Sequence, residues 1–89
     1  MKKFTVEVTQ TIEVELDETK FDEAFMEEFR QSFFQFDEIQ DHVEHLAQIH
    51  ARGVIELDGH KPEFIEGYGP QNEMGIKAKT IDTLIEVIS

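Results

Sequence analysis

Lys3-Phe4-Thr5-Val6-Glu7-Val8-Thr9-Gln10-Thr11-Ile12-Glu13-Val14-Glu15-Leu16, together with residues 17–36 directly after it, decides the fold. In the first stretch Phe4, Val6, Val8, Ile12, Val14 and Leu16 fall on one parity, while Thr and Glu hold the other. A period of two over this length predicts a half-buried strand. Gln10 sits on the apolar parity and marks a bend or bulge. Val8-Thr9-Gln10-Thr11 lacks the Gly, Asn, Asp or Pro of a tight turn, so one long strand is expected, not a hairpin. The pattern then changes to helical, with Phe21, Phe25, Phe29 and Phe33 recurring every fourth residue in one stripe. Asp17 or Thr19 is the expected N-cap, and Phe34 leaves the stripe, so this helix should end near it.

A second helix is expected from Asp37, with Gln40 three residues on in a capping-box-like start. Its apolar face reads Ile39, Val43, Leu46, Ala47 and His50, and Arg52 followed by Gly53 is a C-terminal signal. Strand character returns at Val54-Ile55-Glu56-Leu57, closed by the turn dipeptide Asp58-Gly59. Pro62 holds the next segment open before a short strand at Phe64-Ile65-Glu66-Gly67-Tyr68. Gly67, Gly69, Pro70, Asn72 and Gly75 make 67–75 a loop. Residues 76–88 form a last strand that changes phase, with a bulge near Lys79–Thr83. The order β-α-α-β-β-β predicts a single α+β domain spanning 1–89, with two helices on one face of a mainly antiparallel sheet. The first and last strands are its longest and its natural neighbours.

Composition narrows the function classes. One domain of 89 residues buries a little over ~60% of its unfolded surface, enough for one modest core. Eight Phe against one Tyr and no Trp point to a core built from phenylalanine. With no Cys, disulfides, thiolate metal sites and cysteine nucleophiles are excluded, and an intracellular protein is expected. Met1-Lys2-Lys3-Phe4-Thr5-Val6-Glu7 does not read as a signal peptide, and no later stretch is long enough to span a bilayer. Twenty acidic residues against eight Lys and Arg give a formal charge of −12. That field repels nucleic acid and anionic lipid and favours basic partners; it also serves plain solubility.

Half of the acid lies in 17–44, where Lys20 and Arg30 are the only Lys or Arg. Asp22, Glu23, Glu38 and Asp41 fall in or beside first helical turns, where the macrodipole favours carboxylates. That cause does not reach Glu27, Glu28 or Glu44, and Glu23 with Glu27 is a like-charge i,i+4 pair costing ~0.2–0.5 kcal/mol. Glu23, Glu27, Glu28, Asp41 and Glu44 are therefore candidate contacts to a basic partner, against the plainer reading of a solvated face. On the second helix, ~100° per residue puts His50 on the apolar side as a core histidine. Glu38, His42 and His45 share a neighbouring stripe, a chemically reasonable metal set with His60 as a fourth ligand. The established zinc spacings are absent, so the plainer reading there is a polar helix flank and no metal is assigned. Gly67-Tyr68-Gly69-Pro70 lacks the following helix and the basic residue of a phosphate cradle. It reads as a tight turn with Tyr68 packed on the sheet, or, with Phe64, as an aromatic interface anchor. Ser32 and Ser89 lie in no nucleophile context, and no carboxylate pair stands out for acid–base work. A binding protein, not an enzyme, is expected, with no cofactor.

Glu44-His45-Leu46-Ala47-Gln48-Ile49-His50-Ala51-Arg52-Gly53, and Phe64-Ile65-Glu66-Gly67-Tyr68-Gly69-Pro70 with Glu73-Met74-Gly75-Ile76-Lys77-Ala78, resemble small uncharacterised accessory proteins carried by phages and plasmids. The two stretches cover under a third of the chain and carry no catalytic signature. That class contains anti-CRISPR proteins, many of them short, acidic and free of cysteine. The resemblance implies an inhibitor of a nucleic-acid-binding host defence complex, working in the bacterial cytoplasm by charge mimicry or steric block. It carries over no functional residues. The alternative reading is a structural or adaptor module that pairs through its sheet, with the last strand as an open edge and homodimerisation as its signature.

Overall fold

A computed structural model of the chain describes residues 1–53, 55–57 and 63–88. The fold is α+β: β1 (Val6–Glu15), α1 (Glu23–Ser32), α2 (Ile39–Arg52), β2 (Phe64–Ile65), β3 (Gly69–Pro70), α3 (Gln71–Met74) and β4 (Lys77–Val87). β1 and β4 form an antiparallel two-stranded ribbon, pairing Val6 with Val87 and Glu15 with Lys77. The register shifts between Thr11 and Ile12, whose partners are Asp82 and Thr80, and Ile81 is the extra residue. This is the bulge that the phase change in 76–88 predicts, and it lies one residue beyond Gln10.

Only the inner half of the ribbon is covered. Ile12, Val14 and Ala78 are half-buried there, and Val14 and Ala78 pack against the core. From Val6 to Thr11 and from Ile81 to Val87 every residue is exposed. Ten strand residues at ~3.3 Å each run ~33 Å, whereas the 14 residues of α2 reach ~21 Å. The strands outrun the helix, and the molecule extends 52 × 28 × 20 Å.

Local caps set the helices in place. Asp17 accepts from the Thr19 hydroxyl and backbone N–H at 2.6 and 3.0 Å, holding a 3₁₀ turn at Glu18–Lys20. Those two bonds, the hydroxyl's first, keep the Asp17 carboxyl below the usual range. Asp22 caps α1 through Phe25 N–H at 2.9 Å, so the cap expected at Asp17 or Thr19 lies several residues later. α1 ends at Ser32, and Arg30 Nη1 donates to the Phe36 carbonyl at 3.3 Å across the following loop. At the start of α2 the Asp41 carboxylate accepts from the backbone N–H of Asp37 and Glu38, both at 3.1 Å. Gly53 closes α2 in the left-handed region, at φ 66°.

Several expectations are corrected. Ile55–Leu57 is not a strand; Leu57 is buried and lends one carbonyl to Ala78 N–H at 2.7 Å. Val54, Asp58-Gly59, His60, Pro62 and Ser89 lie outside the described residues. Of the strand expected at 64–68, only Phe64 and Ile65 are extended, pairing with Pro70 and Gly69. The loop expected at 67–75 contains β3 and the one-turn α3. In place of a single sheet there are, among the described residues, two, each of two strands. The physical reason is that the glycine-rich stretch folds back on itself and ties to the turn after β1 through Asp17 N–H to the Met74 carbonyl at 2.9 Å. The core is Phe21, Met26, Phe29, Leu46, Leu57, Ile65, Tyr68, Met74 and Ile76. In the phenylalanine stripe, Phe21 and Phe29 are buried, Phe25 is half-buried and Phe33 is exposed.

Candidate functional site

Three places carry the polar or exposed groups that could serve a function. The first is internal. His42 is fully buried, with ring-centroid distances of 4.6 Å to Phe29, 5.0 Å to Phe36 and 5.4 Å to Phe21. Its Nδ1 lies 2.9 Å from the Tyr68 hydroxyl, and its Nε2 has no partner among the described residues. Burial raises the Tyr68 pKa and so keeps the phenol protonated. A phenol that donates to Nδ1 leaves only the Nε2–H unsatisfied; the opposite tautomer would orphan both the phenol proton and the Nε2 lone pair. Burial, then His45, pushes the His42 pKa down, against Asp41. Burial, then Arg52, lowers that of His45.

The histidine expected in the core, His50, is half-buried and meets Thr80 Oγ1 at 3.2 Å; His42 takes that place. Periodicity missed this because α2 is buried on two sides. Ile39 and Val43 border a cleft against Val14 and Leu16 of the ribbon side, while His42 and His45 turn to the aromatic cluster. The stripe Glu38, His42, His45 does not assemble a metal site. Glu38 is exposed at the N-cap, His42 is sealed, and His45 packs on Phe34 and Phe36. Among the described residues no three His, Asp or Glu converge on an ion position. A cavity of about 310 Å³ lies beside His45, lined by Phe29, Phe33, Phe34, Ile49 and Ile65 with Glu66 at its edge. The aromatic anchor is divided: Tyr68 is buried among α1 and α2 side chains, not laid on the sheet, and Phe64 alone is exposed.

The second place is the acidic helix surface. Glu23, Glu27, Glu28 and Glu44 are exposed and form no ion pair among the described residues. Asp41 differs, since its carboxylate is already engaged by two backbone N–H groups of its own helix start.

The third place is the outer ribbon. On one face Val6 lies opposite Val87 and Val8 opposite Ile85, continuing outward the side on which Val14 meets the core. None of these four is covered; Val8 is 55% and Ile85 66% exposed. Phe4, of the same parity, is exposed beyond them. The opposite face pairs Glu7 with Glu86 and Thr11 with Asp82, a like-charge rung and a polar one. At the base, Lys77 and Lys79 pair with Glu15 and Glu13 at 3.0 and 3.7 Å. The length mismatch between strand and helix was available in the sequence as a signal of this overhang; the expectation of helices covering a whole sheet face obscured it. No helix among the described residues is long and apolar enough to cross a membrane. No protein-family model, curated protein or solved structure matches the chain.

Proposed function

We propose that this chain is a non-enzymatic protein-binding module that docks through the outer half of its β1–β4 ribbon. The observation that carries this reading is the uncovered aliphatic face of Val6, Val8, Ile85 and Val87. A two-stranded ribbon with no second layer is marginal in water, and contiguous exposed apolar surface marks an interaction site.

A second reading has its own support. Glu23, Glu27, Glu28 and Glu44 project from α1 and α2 without cation partners among the described residues, and Asp41 lies on the same helix as Glu44. In that reading the acidic body engages a basic, nucleic-acid-binding host complex in the bacterial cytoplasm. It inhibits a CRISPR-type defence by mimicking a phosphate row or blocking its groove.

One experiment separates the two. Complexes formed by the tagged protein are compared for wild type, Val8→Lys/Ile85→Lys and Glu23→Lys/Glu27→Lys/Glu28→Lys, each washed at low and high salt. Ribbon docking predicts complexes that survive salt and the glutamate reversals but are lost with the ribbon substitutions. The acidic reading predicts the converse. Complexes indifferent to the ribbon substitutions would remove the first reading.

A further inference from the structure

The chemistry of the ribbon also identifies its occupant. We propose that two copies of this chain stack the outer halves of their ribbons face to face, in opposite directions, as a two-fold dimer. The proposal rests on the ribbon-docking reading above and names the partner.

The face is uncharged along its whole outer length: Val6 and Val87, Val8 and Ile85, then Gln10 and Thr83. A basic or acidic partner finds nothing there to pair with, whereas an identical face buries no charge. Val8 and Ile85, the central rung, pack on the same rung of the second copy, as an isologous interface requires. The opposite face could not do this, because stacking it would bury Glu7, Glu86 and Asp82 at several kcal/mol per unpaired ion.

Charge distribution points the same way. In residues 1–15 and 77–89, Lys2, Lys3, Lys77 and Lys79 oppose Glu7, Glu13, Glu15, Asp82 and Glu86, a net −1, which leaves −11 of the −12 on 16–76. The ribbon is thus the part of the surface where a second copy meets least repulsion. Stacked in opposite directions over the exposed stretch from Val6 to Thr11, ~20 Å at ~3.3 Å per residue, the two acidic bodies lie at opposite ends, farther apart than the ~8 Å Debye length at physiological salt. Phe4, Val6, Val8, Ile85 and Val87 offer on the order of 500 Å² of apolar surface per copy. Two such faces bury about 1,000 Å², the lower bound for a specific interface.

Sedimentation equilibrium from about 1 to about 200 µM protein, at about 20 and about 500 mM salt, tests this. The proteins are wild type, Val8→Lys/Ile85→Lys, and the milder Val8→Thr/Ile85→Thr, which keeps strand propensity and guards against misfolding. Thermal melts and the binding of a hydrophobic dye are read in parallel. The expected result is a concentration-dependent dimer that holds or tightens as salt rises, weakens more than about tenfold in the threonine variant and disappears in the lysine variant. A wild type that stays monomeric throughout overturns self-pairing. In that case, dye binding lost in the threonine variant keeps the ribbon as a docking face for another protein, and dye binding unchanged removes the docking reading too. A dimer insensitive to both variants uses another surface and overturns self-pairing through the ribbon, and dye binding again decides the docking reading.

Discussion

The Tyr68 hydroxyl meets Nδ1 of His42 at 2.9 Å, joining the turn after β2 to the first turn of α2 inside a shell of phenylalanine rings. Among the described residues it is the single side-chain hydrogen bond of a fully buried histidine whose other nitrogen is unsatisfied.

Acid should therefore weaken the fold. Burial, reinforced by His45, holds the His42 pKa below 6.5, so the unfolded chain binds the proton first. The stabilisation from neutral His42 is complete above pH 6.5 and is lost as pH falls through the folded value. Urea unfolding between pH 8 and pH 5 should show stability falling with pH below neutrality, at up to about 1.4 kcal/mol per pH unit. His45 adds in the same direction, and His42→Phe should remove part of the slope. A flat profile would contradict the buried neutral imidazole.

Tyr68→Phe should cost about 1–3 kcal/mol, because it strands the second imidazole nitrogen as well as the first. Tyr68 is the only tyrosine and the chain has no Trp, so its ionisation can be followed directly by ultraviolet absorbance. The native phenol should titrate well above 10 and the urea-unfolded one near 10. Because the folded value is raised, its contribution to stability is present below pH 10 and is lost as pH rises above it.

Gly67 and Gly69 both have positive φ, 92° and 86°, but their surroundings differ. A Cβ on Gly67 would lie 2.6 Å from Phe29 Cε2, whereas one on Gly69 meets no atom within 4 Å. Gly69→Ala should cost about 1–2 kcal/mol of backbone strain alone. Gly67→Ala should cost more, since Phe29 is a core ring that must move. Equal losses in chemical denaturation would show that the contact is not tight.

Glu7→Lys should stabilise the ribbon. Glu7 and Glu86 stand directly opposite, and turning a like-charge rung into an opposite-charge one is worth ~0.2–1 kcal/mol. Slower amide hydrogen exchange at residues 6–9 and 84–87, with an unchanged melt of the body, is the expected result.

The amino-acid sequence by itself determined the terminal strands, the bulge near residue 81, the two main helices and the stop at Gly53. These follow from period-two and period-four patterns and from glycine's access to positive φ, all local properties of the chain. It also determined the acidic charge of the helices. Only the tertiary structure decided that His42 and not His50 enters the core, because α2 is covered on two sides and a neutral imidazole can sit where periodicity counts only aliphatic residues. The split into two small sheets was likewise tertiary, since Tyr68 and Met74, on either side of the short strand at 69–70, are both buried in the core. The bare outer ribbon is the clearest case. Val6, Val8, Ile85 and Val87 read as core residues along the strand, and whether a strand residue is buried depends on what reaches over it. A 14-residue helix rising ~1.5 Å per residue does not reach that far.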